Sequence, residues 1–199
     1  MTGAGAILTA PASPDERRLD PTAGCASLAD AGWAEVRCGV AQAHGAALTW
    51  LTEARANGGA SARRAYVFRP ATSNMEQVVL QAMDEAGDRF SSINVRVDGV
   101  TGDGSQDLVF GFRGQGAAAV LAIDLVHGPG VVTVHRDLYR GSARTGGGRL
   151  DTWSGVLGAG DSACCPSSYV HDTLRDTGGT WQIADEATVA PSQVPPSQV

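Results

Sequence analysis

Apolar and polar residues alternate over much of this chain with a period of two. In Asn94-Val-Arg-Val-Asp98 the valines at 95 and 97 stand between polar neighbours, which suits a half-buried strand. Leu108, Phe110 and Phe112 repeat the spacing. Between them lies Thr101-Gly-Asp-Gly104, whose glycines can take the positive φ of a tight reversal. The pattern predicts a strand over 90–98, an acidic turn, and a strand over 107–113. Further strands are expected at 33–38, 45–53 and 64–69, the last ended by Pro70. Residues 118–126 are nearly continuous in apolar side chains and read as a central strand. Gly128-Pro-Gly130 turns it back onto 131–138. A strand over 149–157 follows, then a last hairpin of 168–175 and 180–184 across Asp176-Thr-Gly-Gly179.

Residues 74–86 admit two readings. Ser73-Asn-Met-Glu76 has the spacing of a helix capping box, and Met75, Val78, Val79, Ala82 and Met83 fit a helical stripe. Gln77-Val-Val-Leu-Gln-Ala82 fits a strand equally well, and the β surroundings favour it. The expected fold is therefore mainly β, an antiparallel meander forming a sandwich or curled sheet. One short helix at 74–86 would make it α+β.

Length bounds the organisation. The 199 residues suggest one β-rich domain over 25–186, a disordered leader over 1–24 and a disordered tail over 187–199. Ala4–Ala12 reads either as the end of a signal peptide lacking its charged start or as a plain leader. Ser13–Asp20 is charged linker. The tail duplicates Pro-Ser-Gln-Val, and both ends are expected to be removable at little cost. All 15 basic residues are Arg, scattered apart from two pairs, and the net charge is -6. No basic stripe exists, so nucleic acid is not an expected partner. No apolar run approaches the ~20 residues of a membrane-spanning helix.

The acidic turn brings in chemistry. Thr101-Gly-Asp103-Gly-Ser-Gln-Asp107-Leu108 resembles the turn of FG-GAP and VCBS-type repeats of secreted proteins. That resemblance implies calcium, with Asp103 in the central position, Asp107 in the later one and Thr101 in the Asn/Asp position. Hard Ca²⁺ wants six to eight oxygens on a tightly folded loop. The first ligand falls on Gly99, and Asp98 lies one residue early. With that carboxylate missing, affinity is expected in the weak range of about 10⁻⁴–10⁻³ M, or lost. The other reading is a plain hairpin turn whose Asp side chains cap backbone N–H groups. The motif occurs once, which excludes a propeller built of such repeats.

Cys25, Cys38, Cys164 and Cys165 make an even count with no Cys-x-x-Cys, so a zinc ribbon or thioredoxin-type site is not expected. Adjacent strand residues face opposite ways, and a bond between neighbours closes a strained ring. Bridges from Cys164 and Cys165 to Cys25 and Cys38 are the easier solution. Each would contribute roughly 4–5 kcal/mol in the chain-entropy model. The alternative is four buried free thiols. Disulfides point to an oxidising, extracytoplasmic compartment. Cys164-Cys-Pro-Ser167, Tyr169 and Gly178-Gly-Thr-Trp181 resemble the close of LppP/LprE-type actinobacterial lipoproteins, with Gly and Trp in a different order. The resemblance implies an envelope or secreted location and carries no catalytic residues.

The remaining chemistry is sparse. His44, His127, His135 and His171 show no ligand spacing, and Gly160-Asp-Ser162-Ala-Cys164 fails as a nucleophile elbow. Gly146-Gly-Gly148 lacks the Lys of a phosphate loop. Asp151 and Asp161 are a candidate carboxylate pair. Trp33, Trp50, Trp153 and Trp181 serve either a carbohydrate surface or the core. The leading expectation is a non-catalytic extracytoplasmic β domain, a sensor or accessory module meeting a protein or glycan at the cell surface. The rivals are a calcium- or glycan-binding module and a hydrolase working through Asp and His.

Overall fold

Val, Thr, Phe, Tyr and Trp fill the alternating segments, and residues branched at Cβ or aromatic pack well on a pleated surface. A computed structural model of the chain accordingly describes strands almost throughout. It describes residues 18–19, 33–43, 46–57, 60–70, 75–83, 91–102, 104, 106–124, 131–177 and 180–199. Most of the expected leader, with Cys25, His44, Asp103 and His127, lies outside the described residues.

The chain divides into two compact units, 1–87 and 88–199, where the sequence suggested one domain over 25–186. Unit one holds β1 (Arg18–Leu19), β2 (Ala34–Ala43), β3 (Ala46–Asn57), β4 (Ala60–Pro70) and β5 (Met75–Met83) in one antiparallel sheet, order β1-β5-β4-β3-β2. Residues 75–83 are thus strand. Their period-two reading wins because β4 supplies a full ladder partner, Tyr66 opposite Leu80 and Val67 opposite Val79. Leu51, Tyr66 and Phe68 form the unit's core with Val36 and Cys38 packed against it. The Tyr66 and Phe68 rings stack at 5.8 Å.

Unit two holds two four-stranded antiparallel meanders. The first is β6 (Ser92–Asp98), β7 (Asp107–Arg113), β8 (Ala117–Asp124) and β9 (Val131–Tyr139); the second is β10 (Ser142–Thr145), β11 (Leu150–Val156), β12 (Ser168–Asp176) and β13 (Trp181–Val189). Val109, Ala118, Val120 and Leu138 of the first meet Ala143, Leu150 and Leu174 of the second in one core. Leu108, Val109, Phe110 and Phe112 are all essentially inaccessible, so β7 is buried on both faces rather than one.

The tail departs from expectation. β13 runs on to Val189, Pro191–Gln193 form a single 3₁₀ turn, and 195–199 dock beside β10. Ser142 Oγ donates to Pro195 O at 2.8 Å, Ala143 N to Ser197 Oγ at 3.1 Å and Gln198 N to Ala143 O at 3.0 Å. Val199 is buried in the core of unit two. It comes so close to β7 that a Cβ on Gly111 would meet its carbonyl carbon at 2.2 Å. Composition marked this segment as disordered. The long-range partners that order it are not visible in a local window.

Candidate functional site

The acidic turn joins β6 to β7, and Asp98 and Asp107 are opposite one another in that pair. Burial decides what each carboxylate can do. Asp107 is fully buried, and its Oδ2 accepts from Val100 N at 2.8 Å, Thr101 N at 2.9 Å and Thr101 Oγ1 at 3.0 Å. Thr101 and Asp107 lie together, with the Thr101 hydroxyl as donor to the carboxylate. This is an acid capping the backbone of its own turn. Asp103, the third expected ligand, lies outside the described residues. Among the described residues no three His, Cys, Asp or Glu converge as a metal shell.

Asp98 serves other donors. Its Oδ1 accepts from Gly99 N, and its Oδ2 from Arg96 Nε at 3.0 Å and Thr145 Oγ1 at 2.6 Å. Burial works to raise the carboxyl. The Thr145 hydroxyl, the Arg96 guanidinium and the Gly99 N–H together outweigh it and hold Asp98 below the ordinary Asp range. Thr145 belongs to β10, so this bond ties the acidic turn to the second meander. The turn also touches that meander backbone to backbone. Gly102 and Gly148 both have positive φ, and a Cβ on either would meet the other's Cα at 3.0–3.2 Å. Gly146-Gly-Gly148, unassigned in the sequence, thus provides a close approach only glycine allows.

A second polar cluster lies across β11 and β12. Asp151 stands opposite Thr173, and Trp153 opposite His171. Asp151 Oδ1 accepts from Thr173 Oγ1 at 2.8 Å and lies 3.3 Å from His171 Nε2; its Oδ2 accepts from Arg149 Nε at 2.9 Å. The imidazole lies flat on the Trp153 indole, centroids 4.4 Å apart. Sequence reasoning treated each histidine singly and missed this pairing. Its only signal is two residue pairs spaced i and i+2 on neighbouring strands. Asp161, the other half of the expected carboxylate pair, does different work. It accepts from Gly158 N at 2.7 Å and Ser167 N at 2.8 Å, and those backbone donors lower its carboxyl.

The cysteines are placed differently from the expected bridges. Cys164 and Cys165 lie in disulfide-like contact with one another, Cys38 is disulfide-bonded, and Cys25 lies outside the described residues. Neighbouring side chains point apart in a strand. Residues 163–164 form a turn, where successive side chains need not point apart. The turn is anchored from β9, because Tyr139 Oη and Arg140 Nε both donate to Ala163 O. Both cysteines are exposed. The tryptophans take the core role. Trp33 and Trp153 are buried, Trp181 packs against the core of unit two, and the Trp50 indole fills the space a Cβ on Gly39 would need.

No family model, curated protein or solved structure matches the chain.

Proposed function

We propose that this chain is a non-catalytic β-sheet module of the cell envelope or the secreted space, where it meets a protein or glycan partner. The observation that carries the reading is the state of its cysteines. Cys164 and Cys165 lie in disulfide-like contact, Cys38 is disulfide-bonded, and none of the described cysteines is free. Disulfides persist in oxidising compartments. The use of its acids supports a binding or scaffolding role. Asp107, Asp98 and Asp161 each hold the backbone of a turn or loop. The strongest support for hydrolysis would be the Asp151–His171 pair. The hydroxyl bound to that pair, Thr173 Oγ1, donates to the same Asp151 oxygen as the imidazole contacts, and Trp153 covers one face of the ring. The arrangement suits a cross-strand clasp better than an activated nucleophile.

The test is the redox state in the producing cell. Intact cells are treated with a membrane-permeant thiol-blocking reagent, lysed, and the chain is examined by non-reducing mass spectrometry. Full oxidation, together with loss of the chain when intact cells are treated with protease, is the expected result. Four blocked thiols on a protease-resistant chain would place it in a reducing compartment and overturn the reading.

A further inference from the structure

Among the described residues of unit two, Arg96, Arg136 and Arg149 meet carboxylates. Of the arginines that do not, Arg113 and Arg140 line one cavity together. The β7–β8 turn and the β9–β10 turn flank an open cavity of about 220 Å³, whose lining includes Arg113, Gly114, Gly116, Arg140 and Gly141. Arg113 and Arg140 are half-buried, and among the described residues no acidic side chain lines the cavity. Among the described residues neither guanidinium pairs with a carboxylate. Arg140 Nε donates to Ala163 O at 2.8 Å, a carbonyl that leaves the positive charge uncompensated. Two like charges at one half-buried site without a counter-charge cost free energy that a bound anion would offset.

The backbone supports this. Arg140 has φ of 44°, a left-handed conformation that is rare for a long side chain and is left to glycine in most turns. Gly116 opposite it has φ of 78°, and a Cβ there would lie 3.6 Å from Arg140 Nη2. Tyr139 and Arg140, gripping Ala163 from successive positions, fix the strained residue. The side chain at 140 is thus kept where a glycine would be easier.

We propose that this cavity binds a dianionic oxyanion of the phosphate class, either free or carried as a monoester on a larger molecule. Two guanidiniums match two negative charges, and their planar forks suit tetrahedral oxyanions. A water takes about 30 Å³ of liquid, so the cavity has room for such a group with part of its hydration. This goes beyond the envelope-module reading and does not depend on the compartment.

The experiment is thermal unfolding and calorimetric titration of the full chain with inorganic phosphate, glycerol phosphate and acetate, at constant ionic strength. A saturable rise in Tm with either phosphate, absent with acetate, is expected. Response to both phosphates marks a site open to esters; response to inorganic phosphate alone marks a closed site for the free ion. Arg113→Gln and Arg140→Gly should each weaken binding by about tenfold or more. Arg140→Gly also relieves the left-handed strain, so it keeps the fold while removing the charge. Arg175→Gln, at an exposed position on β12, should bind as the parent does. No saturable response, an equal response to acetate, or unchanged binding in both cavity variants would overturn the proposal.

Discussion

Asp107 shows how much one carboxylate can fix. Three of its donors come from two consecutive residues of the turn, and the oxygen that receives them is inaccessible to water. Hydrogen bonds to a charged group are worth about 1.5–3 kcal/mol, and buried donors left unpaired cost about 1–3 kcal/mol each. Asp107→Ala is therefore expected to lower the unfolding free energy by about 3 kcal/mol or more in urea titration; a loss under about 1 kcal/mol would contradict the geometry. Asp98 makes the turn sensitive to acid. Its folded pKa lies below the unfolded value, so its stabilisation is present above the unfolded pKa and is lost as pH falls through the folded one. Asp98→Asn should therefore cost stability at neutral pH and flatten the loss below about pH 4. Parallel acid limbs in parent and variant would show that the carboxylate is not linked to folding. The acidic turn was legible in the sequence as a turn. Which acid holds which donor was not, because Thr145 lies 47 residues from Asp98.

At the scale of elements, the strands with strong period two were legible and those held by distant partners were not. Residues 107–113 read as strand and are strand. β10 did not register, because Ser-Ala-Arg-Thr carries no apolar alternation. It pairs with β11 on one side and receives the tail on the other. Removing residues 195–199 should therefore lower Tm by several degrees, given about 1.5–3 kcal/mol for burying a Val and about 1 kcal/mol per hydrogen bond. Gly111→Ala should have much of the same effect by expelling Val199, and Gly111→Ala combined with the deletion should add little. An additive pair would show that the two do not touch. The vicinal cysteines lead the other way. A bond between neighbours closes almost no loop, so chain entropy assigns it about 1 kcal/mol against several for a long-range bridge. Replacing Cys164 and Cys165 together by Ser should leave the urea midpoint nearly unchanged, and a non-reduced digest should find both in one internally linked peptide. Either cysteine linked to another peptide would restore the long-range bridges.

Among the described residues a four-stranded antiparallel meander recurs three times, with β1 added to the first. The acidic motif occurs once, so the architectural unit repeats where the sequence does not. Each open sheet must protect its edges, since an unpaired strand is a template for another chain. In the last sheet the two edges are handled differently. The tail covers β10. β13 carries exposed side chains from Gln182 to Thr188, with Ile183 47% accessible, and among the described residues it pairs only with β12. Its protection is chemical. Asp185 and Glu186 are the only charges between Trp181 and Val189, and without them the segment is a nine-residue run of strand-forming residues with no charge and no proline. Such runs on an edge self-associate. Asp185→Val with Glu186→Val should leave the monomer's fold intact by circular dichroism. It should also add a concentration-dependent larger species in sedimentation velocity. Asp185→Asn with Glu186→Gln removes the charge without adding apolar surface, so it should fall between the two. A double Val variant that sediments like its parent at every concentration would show that this edge is guarded by something other than its two acids.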